Sequence, residues 1–239
     1  REGLSSHLKL ARLSREKTEE LLVILFAEEV SAESLEAVYD ETEGNPFYIE
    51  EVCKALVESG KLYFQDGRWH RASLAELEIP QSIRTVIQAR MRVLPDRTQE
   101  VLETAAVIGR EFDFPTLMNA SRIEADLLEE SLAACMNAQL IDQTSRDGEG
   151  NYSFAHALIP TTLVESMPAS KRRKLHRAVG AAIEEKSPED YEALALHFQR
   201  AGEEKKAVDY LIRAGDRARS LYANQEAIRS YKRALEILD

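Results

Sequence analysis

Leu140-Ile141-Asp142-Gln143-Thr144-Ser145-Arg146-Asp147-Gly148-Glu149-Gly150-Asn151-Tyr152-Ser153-Phe154 decides how the rest of the chain is read. Residues 140–144 and 151–154 read as two short strands. Arg146-Asp147-Gly148-Glu149-Gly150 is the loop between them, rich in the residues that turns require. The surroundings differ in character. Glycine and proline number only 10 and 7. Long stretches run without either, and apolar residues recur three and four positions apart, which predicts helix.

Upstream of the hairpin three such helices are expected. Ile83, Val86, Ile87, Arg90 and Met91 form a stripe that ends near Leu94-Pro95. Asp96 with Gln99 has capping-box spacing and opens a helix carrying Val101, Leu102, Ala105, Ala106 and Ile108, closed by Gly109. Phe112 to Met118 is a short element. Ser121 with Glu124 repeats the capping-box spacing before Leu127, Leu128, Leu132, Cys135 and Met136. Helices followed by a two-stranded hairpin are the ingredients of a winged helix, here over 81–167 with Leu158 to Met167 as a last short helix.

Further toward the N-terminus, residues 7–13 alternate polar and apolar like a strand, expected as an end strand over 1–13. Helices then fill 14–60. Ser14 and Ser31 are candidate caps, with Leu21, Leu22, Leu25 and Phe26 on one face and Leu35, Val38 and Tyr39 on the next. Gly44-Asn45-Pro46 stops one helix and starts another. Glycine suits the left-handed position after a helix, asparagine the N-cap and proline the first turn. Residues 61–80 read as a hairpin connector turning at Asp66-Gly67.

Downstream, a connector helix over 168–186 begins with Lys171-Arg172-Arg173-Lys174. Three helices follow over 187–239, at about 188–201, 203–221 and 224–238, with Ser187-Pro188 as the start signal. Ala207-Val208, Leu211 and Ala214 recur twenty positions on as Ala227-Ile228, Tyr231 and Ala234. Small residues seven apart with a large one between let helices approach closely. Tyr191, Leu194, Ala195, Phe198 and Gly202 extend the pattern, which resembles tetratricopeptide (TPR) helix pairs; a plain helical bundle is the alternative. The expected fold class is therefore mainly α: a small helical unit, a winged-helix unit with a β-hairpin wing, then TPR-like α-hairpins.

Composition narrows the function. The chain has 239 residues, 44% hydrophobic and 31% charged, enough to bury a core. Its net charge is −11. Residues 168–239 carry +3, whereas residues 1–167 carry −14. The expected recognition helix, 121–138, holds Glu124, Asp126, Glu129 and Glu130 against one base, Arg122, which argues against nucleic-acid binding. The basic run at 171–174 reads as a solvated face or as a dock for an acidic partner, the winged-helix unit included. Cys53 and Cys135 form no redox or metal motif. His7, His70, His156, His176 and His197 are scattered without metal-ligand spacing, so no metal site is expected. There is no Gly-x-x-x-x-Gly-Lys-[Ser/Thr] and no Gly-x-Ser-x-Gly. No catalytic residue is assigned, and this stretch is not expected to be an enzyme. No apolar run reaches the length of a membrane span, no signal peptide is apparent, and a cytoplasmic setting is expected.

The order of modules resembles the downstream half of the signal-transducing ATPases with numerous domains (STAND ATPases). It is similar above all to large regulators that join such an ATPase to adenylate or guanylate cyclase, kinase or LuxR-type modules. Residues 43–51 (Glu-Gly-Asn-Pro-Phe-Tyr-Ile-Glu-Glu), 79–83, 105–112 and 152–159, with 172–177, carry the resemblance. It implies that 14–60 is a helical lid over a nucleotide, with Gly44, Asn45 and Pro46 as the turn lying against adenine. It implies that His156 contacts the β-phosphate of ADP. Ala157 stands where an acidic residue often follows that histidine. The resemblance further implies ATP or ADP with Mg in an upstream P-loop domain, signal transduction by conformational change, a protein partner at the TPR-like helices, and oligomerisation on activation. Without it, Gly-Asn-Pro is ordinary helix-stop chemistry and His156 a histidine packed at a strand–helix junction. A DNA-binding regulator and a nucleotide-independent adaptor are the other readings.

Overall fold

A computed structural model describes residues 11–26, 32–58, 62–65, 68–71, 80–144 and 150–238. The chain is mainly α-helical and divides into two compact units. One comprises the chain to Gln88 together with His156–Leu158; the other comprises Ala89–Ala155 and the chain from Ile159.

In the first unit, α1 spans Arg15–Phe26, α2 Ala32–Thr42 and α3 Pro46–Glu58. Ser14 caps α1 as expected: its hydroxyl accepts from the Lys17 amide at 3.3 Å. Leu22, Leu35, Val38, Ile49 and Cys53 form the core, with Leu13, Leu21 and Phe26 packed against it. These are the i, i+3, i+4 positions of the three amphipathic patterns. The hairpin β1 (Leu62–Gln65) and β2 (Arg68–Arg71) is antiparallel with Gln65 opposite Arg68. Its expected Asp66-Gly67 turn, the Ser31 cap and residues 1–10 of the expected end strand lie outside the described residues. Residues 11–14 are irregular chain, not strand. Helix α4 runs Gln81–Arg92 and buries Ile83 and Ile87.

The second unit, which starts at Ala89 within α4, holds α5 (Asp96–Ile108), β3 (Glu111–Asp113), α6 (Phe114–Ser121) and α7 (Ala125–Asn137), followed by β4 (Ile141–Gln143) and β5 (Asn151–Phe154). The strands form an antiparallel sheet in the order β3-β5-β4, with Phe112 opposite Tyr152 and Ile141 opposite Phe154. This is the element order of a winged helix, with a third strand that the two-stranded expectation lacked. Three residues are too short to show a period. Glu111-Phe112-Asp113 is held as a strand by tertiary packing: the Phe112 ring stacks on Tyr152 at 5.8 Å and tilts against Phe154 at 5.6 Å.

Both expected capping boxes are corrected. Pro95 precedes α5, Asp96 lies inside it, and Gln99 donates to the Leu94 carbonyl at 2.8 Å. Ser121 ends α6 rather than opening α7, and Glu124 precedes α7 without a side-chain cap. The side-chain cap in this region is Asp113, which accepts from the Thr116 amide at 2.9 Å and the Thr116 hydroxyl at 2.8 Å.

Helices α8 (Leu158–Ser166), α9 (Ala169–Lys186), α10 (Tyr191–Ala201), α11 (Glu204–Ser220) and α12 (Asn224–Leu238) complete the chain. Ser187-Pro188 does not start α10. Ser187 closes α9, and Asp190 caps α10 by accepting from the Ala193 amide at 3.3 Å. Helix α9 packs on α5, α6 and α10, α10 on α11, and α11 on α12. The small residues of the repeat, Ala207, Ala214, Ala227 and Ala234, are all buried, as close helix approach requires.

Candidate functional site

The Gly44-Asn45-Pro46 turn forms as its residue types dictate. Gly44 is left-handed, with φ 71°, and a side chain there would overlap the carbonyl of Leu13. The Leu13 amide donates to the Gly44 carbonyl at 2.8 Å, tying the chain before α1 to the turn. The Asn45 side-chain oxygen accepts from the Phe47 amide at 3.1 Å, and α3 starts at Pro46. Arg12 and Glu43 form an ion pair beside the turn. Pro46 and Phe47 are exposed, so the turn presents an apolar edge.

His156 comes to the same place from 114 positions away. Its Nε2 lies 2.7 Å from the Thr42 carbonyl oxygen. Its Nδ1 lies 3.2 Å from the Leu158 amide nitrogen. A carbonyl can only accept and an amide N–H can only donate. The ring therefore carries its proton on Nε2 and is neutral. Tyr48 packs edge-on against it at 4.2 Å between ring centroids, and both rings are buried. Thr42, Tyr48 and Leu158 were not singled out from sequence. The Tyr48 position inside the 43–51 motif was the available signal; two of the contacts use main-chain atoms, which sequence does not reveal.

Two further histidines also meet. His176 of α9 and His197 of α10 face each other with Nδ1 atoms 3.0 Å apart, both buried. Burial, then the neighbouring positive charge, pushes both down to about 4. Each sits on the inward stripe of its helix, which is the signal that the scattered-histidine reading missed. Burial pushes the Cys53 and Cys135 thiols up to about 12, so neither is a nucleophile at neutral pH. Among the described residues no group of three or more His, Cys, Asp or Glu side chains is arranged to hold a metal, and no helix is long and apolar enough to cross a membrane.

The charged surfaces separate by sign. Helix α7 exposes Asp126, Glu129 and Glu130, which would repel phosphates. The basic run at the start of α9 is partly engaged. Lys171 pairs with Glu103 of α5, and Arg172 donates to the Val164 carbonyl at 3.3 Å. At the other end of α9, Lys186 lies 2.7 Å from Asp113. Arg173 and Lys174 are exposed.

No family model matches the chain. It is similar to an uncharacterized protein of Rhizobium meliloti (strain 1021), 26% identical over 212 residues, covering 84% of this chain and 20% of that protein. It is also similar to the peroxide stress-activated histidine kinase mak3 of Schizosaccharomyces pombe, 22% identical over 221 residues, covering 84% of this chain and 9% of that protein. The chain thus spans a fifth or less of the length of these two relatives.

Proposed function

We propose that this chain is the regulatory and sensory region of a STAND-type ATPase. A P-loop domain elsewhere in the natural protein holds ATP or ADP with Mg. The Gly44–Pro46 turn and His156 respond to that nucleotide, and the response alters partner binding at α10–α12. The region performs no catalysis of its own. The observation that carries the reading is the bond from His156 to Thr42, two residues before Gly44. It joins the two places that the family resemblance assigns to the nucleotide.

The chemistry is a competition. Both ring nitrogens are bonded to main chain, so the Nε2–H reaches a phosphate only by leaving the Thr42 carbonyl. A nucleotide state that draws the ring away frees the end of α2; one that does not leaves the turn held. Differential binding of this kind is what shifts a two-state equilibrium. The exposed Pro46–Phe47 edge suits the flat apolar face of a base. The length of the two relatives, and the name of the second as a stress-activated kinase, support a place within a large signalling protein. The acidic face of α7 weighs against DNA as the partner. The test compares the natural full-length protein with its Pro46→Ala and His156→Ala variants. Altered ADP affinity or exchange is expected; unchanged binding and exchange in both variants overturns the sensing role.

A further inference from the structure

The turn between α11 and α12 repeats the turn between α10 and α11, with one substitution that the fold does not call for. The Gly202 amide donates to the Gln199 carbonyl at 3.0 Å, and the Glu203 amide to the Phe198 carbonyl at 2.9 Å. Twenty positions on, the Tyr222 amide donates to the Arg219 carbonyl at 3.1 Å, and the Ala223 amide to the Ala218 carbonyl at 2.9 Å. Both central residues are left-handed, Gly202 at φ 79° and Tyr222 at φ 60°. This is the Schellman position that favours glycine. A tyrosine there is less favourable than a glycine, as are Arg122 and Gln139, which take the same left-handed backbone elsewhere in the chain. Tyr222 is 89% exposed and Leu221 69%. The Tyr222 side chain makes no hydrogen bond or ring contact among the described residues.

Leu221 also lines a cleft of about 440 Å³ beside this turn. Glu189, Asp190, Glu192 and Glu226 line it with Arg217. Arg217 donates to the Glu189 carbonyl oxygen at 2.9 Å and makes no ion pair with these acids. Asp190 is occupied as the cap of α10. Glu189, Glu192 and Glu226 have no ion-pair partner among the described residues. The cleft therefore combines uncompensated negative charge with the exposed Leu221, and the exposed Tyr222 follows that leucine at the rim, outside the lining. Large exposed apolar side chains against a polar rim mark contact surfaces, and tyrosine is a common anchor.

We propose that this cleft docks a basic segment of a partner protein, an apolar side chain between lysines or arginines, with Leu221 and Tyr222 as anchors. Charge complementarity selects this occupant: anionic lipid and nucleic acid are repelled by the same carboxylates. The proposal rests on the reading of α10–α12 as a partner surface and names the partner's chemistry there; the peptide test needs no nucleotide, so its failure is distinct from failure of the nucleotide sensing.

The test uses the 239-residue chain and two fluorescent peptides, one of repeating Leu-Lys-Lys and one of repeating Leu-Glu-Glu, read by anisotropy. The lysine peptide binds and the glutamate peptide does not, and added salt weakens binding. Tyr222→Gly removes an anchor while relieving the left-handed strain, so binding falls about tenfold with the melting temperature unchanged or raised. Joint substitution Glu189→Gln, Glu192→Gln and Glu226→Gln lowers binding about tenfold as well. The control Glu124→Gln, Glu129→Gln and Glu130→Gln leaves it unchanged, which separates the cleft from general acidity. Failure of the lysine peptide to bind, equal binding of both peptides, indifference to the cleft variants, or an equal loss in the control overturns the proposal. So does self-association of the chain that the cleft variants abolish, which makes a second copy the occupant.

Discussion

The Nε2–H of His156 donates to the carbonyl oxygen of Thr42 across 2.7 Å, and the Leu158 amide donates to Nδ1 of the same ring. A single buried imidazole thus ties the end of α2 to Leu158 within the first unit. His156→Ala leaves the Leu158 amide without its acceptor and opens a cavity beside Tyr48. The expected cost is about 2–4 kcal/mol, read by urea denaturation. Nitrogen-15 spectra of the histidine ring should show the Nε2-protonated tautomer in the wild type.

Gly44→Ala tests the turn. The new methyl group meets the Leu13 carbonyl in a left-handed backbone that alanine resists. A loss of about 2 kcal/mol or more is expected. Hydrogen exchange should rise in α1 to α3, while α9 to α12 stay protected.

The His176–His197 pair sets a pH dependence. Both folded values lie near 4, below the ordinary 6.5, through burial first and then through mutual repulsion for His176 and the Arg200 charge for both. The folded state therefore binds fewer protons than the unfolded state between these values. The contribution is complete above about pH 6.5 and is lost as pH falls toward about 4. Arg172 also faces His176, which strengthens the effect. Urea midpoints at a series of pH values should decline across this window. Replacing either histidine by glutamine, which takes no proton, should flatten the decline.

Asp113→Ala removes the cap of α6 and the partner of Lys186 together. A loss of about 1–2 kcal/mol is expected by thermal melting. Asp113→Asn, which keeps an oxygen for the Thr116 amide, should recover part of it.

The sequence reading reached the mainly helical character and the β4–β5 hairpin because long amphipathic periods and a turn-rich loop leave little ambiguity. The Gly44-Asn45-Pro46 turn was legible for a different reason: three residue types each fit one backbone position. What escaped was decided by tertiary contact. Three-residue β3 exists because Phe112 stacks on Tyr152, and no local period announces that. The boxes at Asp96/Gln99 and Ser121/Glu124 had correct spacing, but Pro95 precedes α5, the left-handed Arg122 ends α6, and Glu124 precedes α7 without a side-chain cap. His156 was singled out by resemblance, while its partners were not, because two of them are main-chain atoms. His176 and His197 looked isolated at 21 positions apart; only the packing of α9 on α10 brings them together.

The competition at His156 is tested most directly by hydrogen exchange in the natural full-length protein, with ADP and with ATP, over segments 42–48 and 156–158. The account predicts that exchange of the Asn45 and Leu158 amides, bonded to Thr42 and to the His156 ring, differs between the two nucleotide states and loses that difference in His156→Ala. Identical exchange in both states of the wild type would contradict it.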